Sequence, residues 1–222
     1  MFDRISRSYD VLNRIITLGV DIIWRKRVVG LLKDQKHEVL LDIATGTGDL
    51  VLALAKLETK KIIGLDISPG MLAIGKQKVI DRRLEKRIDM QLGDSEALQF
   101  DEATFDAVTI AFGVRNFENL EKGLLEIYRV LKPQGSLVIL ETAVPQNAIL
   151  KSFYTLYTQN IMPLMGRIFS KHRSAYQYLS DSAAAFPCGK AFNNILQKNG
   201  FIEIEDIPQT LGVASIYFAK KP

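Results

Sequence analysis

Leu40-Leu41-Asp42-Ile43-Ala44-Thr45-Gly46-Thr47-Gly48-Asp49-Leu50 is the segment from which the architecture can be read. An apolar strand pattern runs into a Gly-x-Gly turn flanked by carboxylates, and a helical pattern starts at once. Such a turn lets backbone approach a small ligand at the carboxyl end of a strand, where open α/β sheets bind their ligands. The residues around it decide which ligand.

On either side of this segment, short apolar stretches alternate with helical ones. Strands are expected at Val39–Ala44, Lys61–Asp66, Ile88–Leu92, Phe105–Ala111, Ser136–Glu141, Phe201–Asp206 and Val213–Ala219. Continuous apolar runs such as Leu137-Val138-Ile139-Leu140 suit strands covered on both faces. Crossover helices are expected over Asp49–Leu57 and Pro69–Leu84, the second opened by Ser68 as cap and Pro69 in its first turn. A third carries Leu120, Leu124, Ile127 and Leu131 at helical spacing and is closed by Lys132-Pro133 with Gly135. The pattern predicts an α/β fold, a doubly wound, seven-stranded Rossmann-like sheet.

At 222 residues and 47% hydrophobic, the chain reads as a single domain. It divides into an N-terminal helical cap over 1–35, a ligand-binding core over 38–144, a helical insert over 145–199 and two final strands over 200–222. The insert holds Phe153, Tyr154, Tyr157, Phe169, Tyr176, Tyr178, Phe186 and Phe192, with Met162 and Met165. Aromatics at helical spacing serve a core or roof an apolar substrate; the sequence leaves both open. Cys188 is the one cysteine, so no internal disulfide forms, and His37 and His172 stand far apart. No metal site is expected, and a reducing, cytoplasmic setting is. No apolar run approaches the roughly 20 residues of a membrane span. Net charge is +4 over 1–37, −4 over 38–141, +5 over 142–200 and −1 thereafter. Two basic segments thus flank an acidic centre.

The glycine turn departs from the dinucleotide fingerprint, because its third small-residue position holds Val51. Asp66 closes the second strand twenty residues after Gly46, where a carboxylate accepts both hydroxyls of a ribose. Ile67 follows it, and Asp94-Ser95 follows the third strand, where Asp94 can accept from an adenine amine. Asp42 and Asp49 bracket the turn, and no compensating cluster of Lys or Arg is evident beside them. Such a set is a poor pyrophosphate cradle. It suits a cationic ligand carrying an ammonium and a sulfonium, namely S-adenosylmethionine, with S-adenosylhomocysteine as product. Candidate contacts are Asp42, Thr45, Gly46, Thr47, Gly48, Asp66, Ile67, Asp94, Ser95 and Ala111.

Further segments narrow the reading. Phe2-Asp3, Tyr9-Asp10-Val11-Leu12-Asn13 with Trp24 eleven residues on, and Asp94-Ser95-Glu96-Ala97-Leu98 join the glycine turn. So do Phe112-Gly113-Val114-Arg115-Asn116 and Tyr128-Arg129-Val130-Leu131-Lys132-Pro133. Over nearly its whole length the chain resembles the ubiquinone/menaquinone biosynthesis C-methyltransferases, within the class I S-adenosylmethionine-dependent superfamily. The resemblance implies C-methylation of a polyprenylated quinol, demethylmenaquinol first, with a benzoquinol of ubiquinone synthesis as the alternative. It also implies cofactor contacts at Thr47, Asp66, Asp94 and Ser95. Departures from the family pattern are Asp21 for histidine, Leu12 for methionine, Gln134 for glycine and Ala111 for serine.

A ring carbon becomes nucleophilic when a ring hydroxyl loses its proton, so the site needs donors for a phenolate. Arg115 and Asn116, after the fourth strand, are the catalytic candidates, with Tyr9 completing the wall. Arginine keeps its proton throughout the accessible pH range and cannot act as the base. A quinol with a polyprenyl tail lives in a bilayer, so the basic flanks, Arg25-Lys26-Arg27 in particular, are expected to hold the protein peripherally at an anionic membrane. No Asn/Asp-Pro-Pro-aromatic run follows the fourth strand, and Cys188 lies in the insert, so nucleic acid is not an expected partner. An oxidoreductase and a non-catalytic partner in a quinone-synthesis complex are the remaining alternatives. The oligomeric state, with a homodimer as candidate, and a trimmed N-terminus stay open.

Overall fold

The computed structural model describes residue 6, residues 10–11, 13–156, 178 and 181–222, without the side chain of Phe153. Tyr9, Phe2-Asp3 and Leu12 lie outside the described residues, as do Tyr157, Met162, Met165, Phe169 and Tyr176 of the insert. Elements with described bounds are, in order, α1 (Asp21–Leu31), β1 (Val39–Ile43), α2 (Asp49–Leu54), β2 (Lys61–Asp66), α3 (Pro69–Asp81), β3 (Ile88–Leu92) and β4 (Phe105–Ala111). Then follow α4 (Leu120–Val130), β5 (Leu131–Thr142), α5 (Ala148–Leu156), α6 (Lys190–Lys198), β6 (Ile202–Gln209) and β7 (Ala214–Lys220).

The seven strands form one sheet in the order β3-β2-β1-β4-β5-β7-β6. Strands β1 to β5 are parallel, and β7 runs antiparallel between β5 and β6. The order reverses between β1 and β4, which opens a crevice at their carboxyl ends, beside the glycine turn. Apolar runs behave as double-covered strands should: Leu137, Val138, Ile139 and Leu140 are all fully buried. One core layer gathers Leu41, Ile110, Leu124, Ile127 and Phe192; the other gathers Trp24, Leu40, Val51, Ile62 and Leu140.

Several element ends differ from the sequence reading, each for a local reason. β1 stops at Ile43 because Ala44 turns to φ +52°, and α2 stops at Leu54 rather than Leu57. α3 does open on Ser68, whose hydroxyl accepts from the Met71 N–H at 3.2 Å, but it ends at Asp81 and Arg83 takes φ +56°. α4, capped by Asn119, closes at Val130, and Leu131 already pairs with Phe105 in the sheet. β5 therefore begins five residues before Ser136. β6 and β7 extend to Gln209 and Lys220, because they pair with each other around a tight 3₁₀ turn at Thr210–Gly212.

Candidate active site

A cleft of about 320 Å³ lies over the carboxyl ends of β1, β2, β3 and β4. Of the residues expected at the cofactor, Gly46, Asp66, Ile67, Asp94, Ser95 and Ala111 line it, and Asn116 stands in its wall. The cleft is acidic: Glu96 and Glu118 join Asp66 and Asp94, and Met71, Phe112 and Phe117 add apolar surface. These five were not anticipated. Glu96 and Phe112 belong to motifs already singled out, whereas Met71, Phe117 and Glu118 carry no pattern of their own.

Backbone geometry builds the cleft. The carboxyl ends of β1 and β4 leave the sheet with Ala44 at φ +52° and Phe112 at φ +57°, conformations non-glycine residues hold only where packing enforces them. A Cβ on Gly113 would come within 2.3 Å of the Ala44 Cβ, so the two strand ends meet only because residue 113 is glycine. Asp66 is pinned on both oxygens: Gly46 N–H donates to one at 2.7 Å and Ser68 N–H to the other at 2.8 Å. Asp94 accepts the Glu96 N–H at 2.8 Å.

A second recess, about 30 Å³, shares Ala44, Gly46, Ala111 and Phe112 with the cleft and is also walled by Asp10, Arg25, Asp42, Thr45, Thr47 and Asp49. Asp42 sits here, fully buried, accepting the Thr109 hydroxyl at 2.6 Å. Burial pushes its carboxyl up to about 7, against the Thr109 and Thr45 hydroxyls and the charge of Arg25. Gly48 lines neither space. It takes φ +81° as the cap of α2 and packs on Met90 and Gly75.

The absence of compensating cations is overturned. Lys78 Nζ pairs with Asp10 at 2.6 Å and with Asp49 at 2.8 Å, and Arg14 pairs with Asp49 at 3.1 Å and Asp21 at 2.6 Å. Arg25 also pairs with Asp21. Burial alone would raise the Asp49 carboxyl, yet the Lys78 hydrogen bond and the charges of Lys78, Arg25 and Arg14 hold it below the usual carboxylate range. The Thr47 hydroxyl donates to Asp10 at 2.5 Å, so Asp10 is tied to the glycine turn. These cations come from α3 and from residues before β1. Proximity along the chain gave no sign of them.

Arg115 does not line the cleft. Its guanidinium is buried in an ion pair with fully buried Glu141 at the end of β5, which also accepts the Thr142 N–H at 2.7 Å. Tyr154 of α5 lies within electrostatic reach: burial raises its phenol, Arg115 lowers it, and Cys188 and Glu141 raise it again. Phe186 and Phe192, by contrast, stack in the core at 4.9 Å. Among the described residues, no group of three or more His, Cys, Asp or Glu could hold a metal, and no helix is long and apolar enough to cross a membrane.

Comparison with known proteins adds the chemistry. A SAM-dependent methyltransferase from Thermotoga maritima superposes with a TM-score of 0.69 over 100% of this chain and 98% of its own, at 18% identity. That likeness concerns the fold. The demethylmenaquinone methyltransferase of Bacteroides fragilis is 41% identical over 100% of this chain and 91% of its own length. The ubiquinone/menaquinone biosynthesis C-methyltransferase UbiE of Geobacter sulfurreducens is 40% identical over 100% and 87%. The model of the ubiE/COQ5 methyltransferase family matches residues 1–221. With an acid-lined cleft at the sheet's reversal point and that match along its length, the chain belongs to the ubiE/COQ5 methyltransferase family.

Proposed function

We propose that the chain methylates a ring carbon of a polyprenylated quinol, demethylmenaquinol in the first place, in quinone biosynthesis. The observation that carries this is the segment from Phe112 to Phe117. It walls the acidic cleft with Phe112, Gly113, Asn116 and Phe117, and it sends Arg115 back to Glu141 and toward Tyr154 of the insert. One segment thus joins the donor cleft to the insert that would cover an acceptor.

The donor set fits S-adenosylmethionine, which supplies an electrophilic methyl on a sulfonium. Asp66, already oriented by Gly46 and Ser68, takes the ribose hydroxyls; Asp94 and Ser95 take the adenine side; Ile67 and Ala111 are apolar wall. Asp42, Thr45, Gly46 and Thr47 take the other end. Gly48 shapes the turn. Asn116 faces the cleft with its Oδ1 buried and unpartnered, and we assign that oxygen to accept from a ring hydroxyl of the quinol. Arg115 carries a charge countered by Glu141 and stands outside the cleft, so its part is to hold the turn that presents Asn116. Tyr9, outside the described residues, keeps its proposed role as a further hydrogen-bonding group toward the quinol. Positioning of acceptor against donor alone is worth roughly 7–11 kcal/mol of barrier.

The name of the Geobacter relative supports a second acceptor, a benzoquinol of ubiquinone synthesis. We also infer peripheral contact with an anionic membrane, in line with a substrate that carries a polyprenyl tail. The test is turnover of the purified protein with S-adenosylmethionine and matched reduced naphthoquinol and benzoquinol acceptors. The expected result is faster formation of S-adenosylhomocysteine with the naphthoquinol. A preference for the benzoquinol moves the assignment to ubiquinone synthesis, and no turnover with either refutes it.

A further inference from the structure

The small recess holds a guanidinium and a buried carboxyl, each with a buried hydrogen-bonding atom turned to it. Arg25 Nε and Asp42 Oδ2 are both shielded from solvent and make no hydrogen bond of good geometry, although the Thr45 hydroxyl stands near the Asp42 carboxyl. Leaving such bonds unmade costs roughly 1–3 kcal/mol each, more for charges, and native proteins seldom do so without a reason. The neighbouring charges do not provide for them. Asp10 and Asp49 are satisfied by Lys78, Thr47 and Arg14, and Asp21 holds the Nη1 edge of Arg25. The recess therefore suits a ligand group that is itself a zwitterion.

Its size agrees. A water needs about 10–15 Å³, so about 30 Å³ leaves room for the polar end of a ligand. Its position agrees too. Asp66 ends β2 and Asp94 follows β3, on one side of the cleft, whereas Asp42 lies on β1 and Phe112 follows β4, on the other. A nucleoside held by the first pair points its remaining end at the recess. The Arg25 side chain is fixed in place: Asp21 grips one edge, its Cζ lies 5.7 Å from the Phe112 ring centroid, and it is only 11% exposed. Asp21, which departs from the family pattern, thereby gains a function in this chain: it aims an arginine.

We propose that Arg25 binds the α-carboxylate of S-adenosylmethionine while Asp42 receives its α-ammonium. This rests on the reading of the cleft as the S-adenosylmethionine site. It makes Arg25 a selectivity residue that distinguishes the methyl donor from its decarboxylated form, which keeps the sulfonium and ammonium but lacks the carboxylate.

The experiment is calorimetric titration of the full chain with S-adenosylmethionine and with decarboxylated S-adenosylmethionine. A charge-assisted contact of roughly 1.5–3 kcal/mol corresponds to about a 10- to 100-fold preference of the wild type for the carboxylated ligand. Arg25→Met should lose most of that preference, with the decarboxylated ligand bound within about threefold of wild type. Arg25→Gln, which keeps a polar end for Asp21, should show the same collapse and serves if the first variant does not fold. Asp21→Asn retains the guanidinium but frees it, and should keep part of the preference. Equal binding of both ligands by the wild type overturns the inference, as does an equal loss of both in the Arg25 variants. A wild type that binds neither refutes the reading of the cleft, and this inference with it.

Discussion

Asp42 shows how one residue joins the sequence pattern to the chemistry. Its place before Gly-x-Gly was legible, and so was its carboxylate character; its burial and its proton were not. A carboxyl raised to about 7 keeps a proton in the folded protein from its ordinary value near 3.8 up to that point, so its ionisation lowers stability as pH rises through the window. An ammonium bound beside it favours the ionised form and reverses the balance. Binding of S-adenosylmethionine should therefore release up to one proton between about pH 6 and 7, and affinity should rise with pH there by up to about tenfold per unit. Calorimetry in buffers of different ionisation heat reads that proton directly. Asp42→Asn should show no release and a flat profile; an unchanged release in that variant places the titrating group elsewhere. Arg115 gives the opposite lesson. Its position after β4 was legible, but the partner that buries it, Glu141, sits 26 residues away on β5. Removing a single member of such a pair leaves a buried charge uncompensated, so activity lost in Arg115→Ala has to be weighed against lost stability.

At the scale of elements, the strands were legible because period and apolar continuity are local, and the ends were not because pairing across the sheet sets them. The start of β5 is the clearest case. Lys132-Pro133 read as a helix stop, yet Leu131 pairs with Phe105, Lys132 pairs with Asp106 at 2.6 Å, and the Gln134 N–H donates to the Lys221 carbonyl at 3.0 Å. Gln134 meets that bond only by adopting φ +61°, at a position where the family pattern has glycine. The left-handed conformation costs a non-glycine residue about 1–2 kcal/mol, and glycine returns roughly half of that through the greater freedom of its unfolded chain. Gln134→Gly should thus stabilise the protein by about 0.5–1 kcal/mol, equivalent to a rise of roughly 1–4 °C in Tm. Differential scanning calorimetry checks it, and an unchanged or lower Tm removes the strain argument. The insert is the element least open to sequence reasoning. Its aromatics divide between core, as Phe186 and Phe192 do, and the neighbourhood of Arg115, as Tyr154 does, and only packing separates the two.

For the whole molecule, the alternating charge of the chain resolves into two different uses. Of the basic triplet expected to face a membrane, Arg25 turns inward to Asp21, and Arg27 donates to Gln209 at 2.7 Å while keeping an exposed side. What remains outside is Lys26 and Arg27 beside an apolar group: Leu18 is 83% exposed, Ile22 42% and Ile23 56%. An apolar and basic face of this kind suits an anionic bilayer, at roughly 1 kcal/mol per cation near the surface. The protein should co-sediment with phosphatidylglycerol vesicles at low salt and be released as salt rises, and Ile22→Glu with Ile23→Glu should abolish most of the binding. Binding that ignores vesicle charge, or survives both substitutions, argues against this face. In the proposed reading, cleft, recess and membrane face serve one event, movement of a methyl group from sulfonium to ring carbon. That transfer is observed by incubating the protein with S-adenosylmethionine labelled in its methyl group and a reduced demethylmenaquinone analogue, and locating the label by NMR. A new labelled methyl on a quinol ring carbon, formed only with the reduced acceptor, is expected. Label on a ring oxygen, or none transferred, would show that the chain does not perform this reaction.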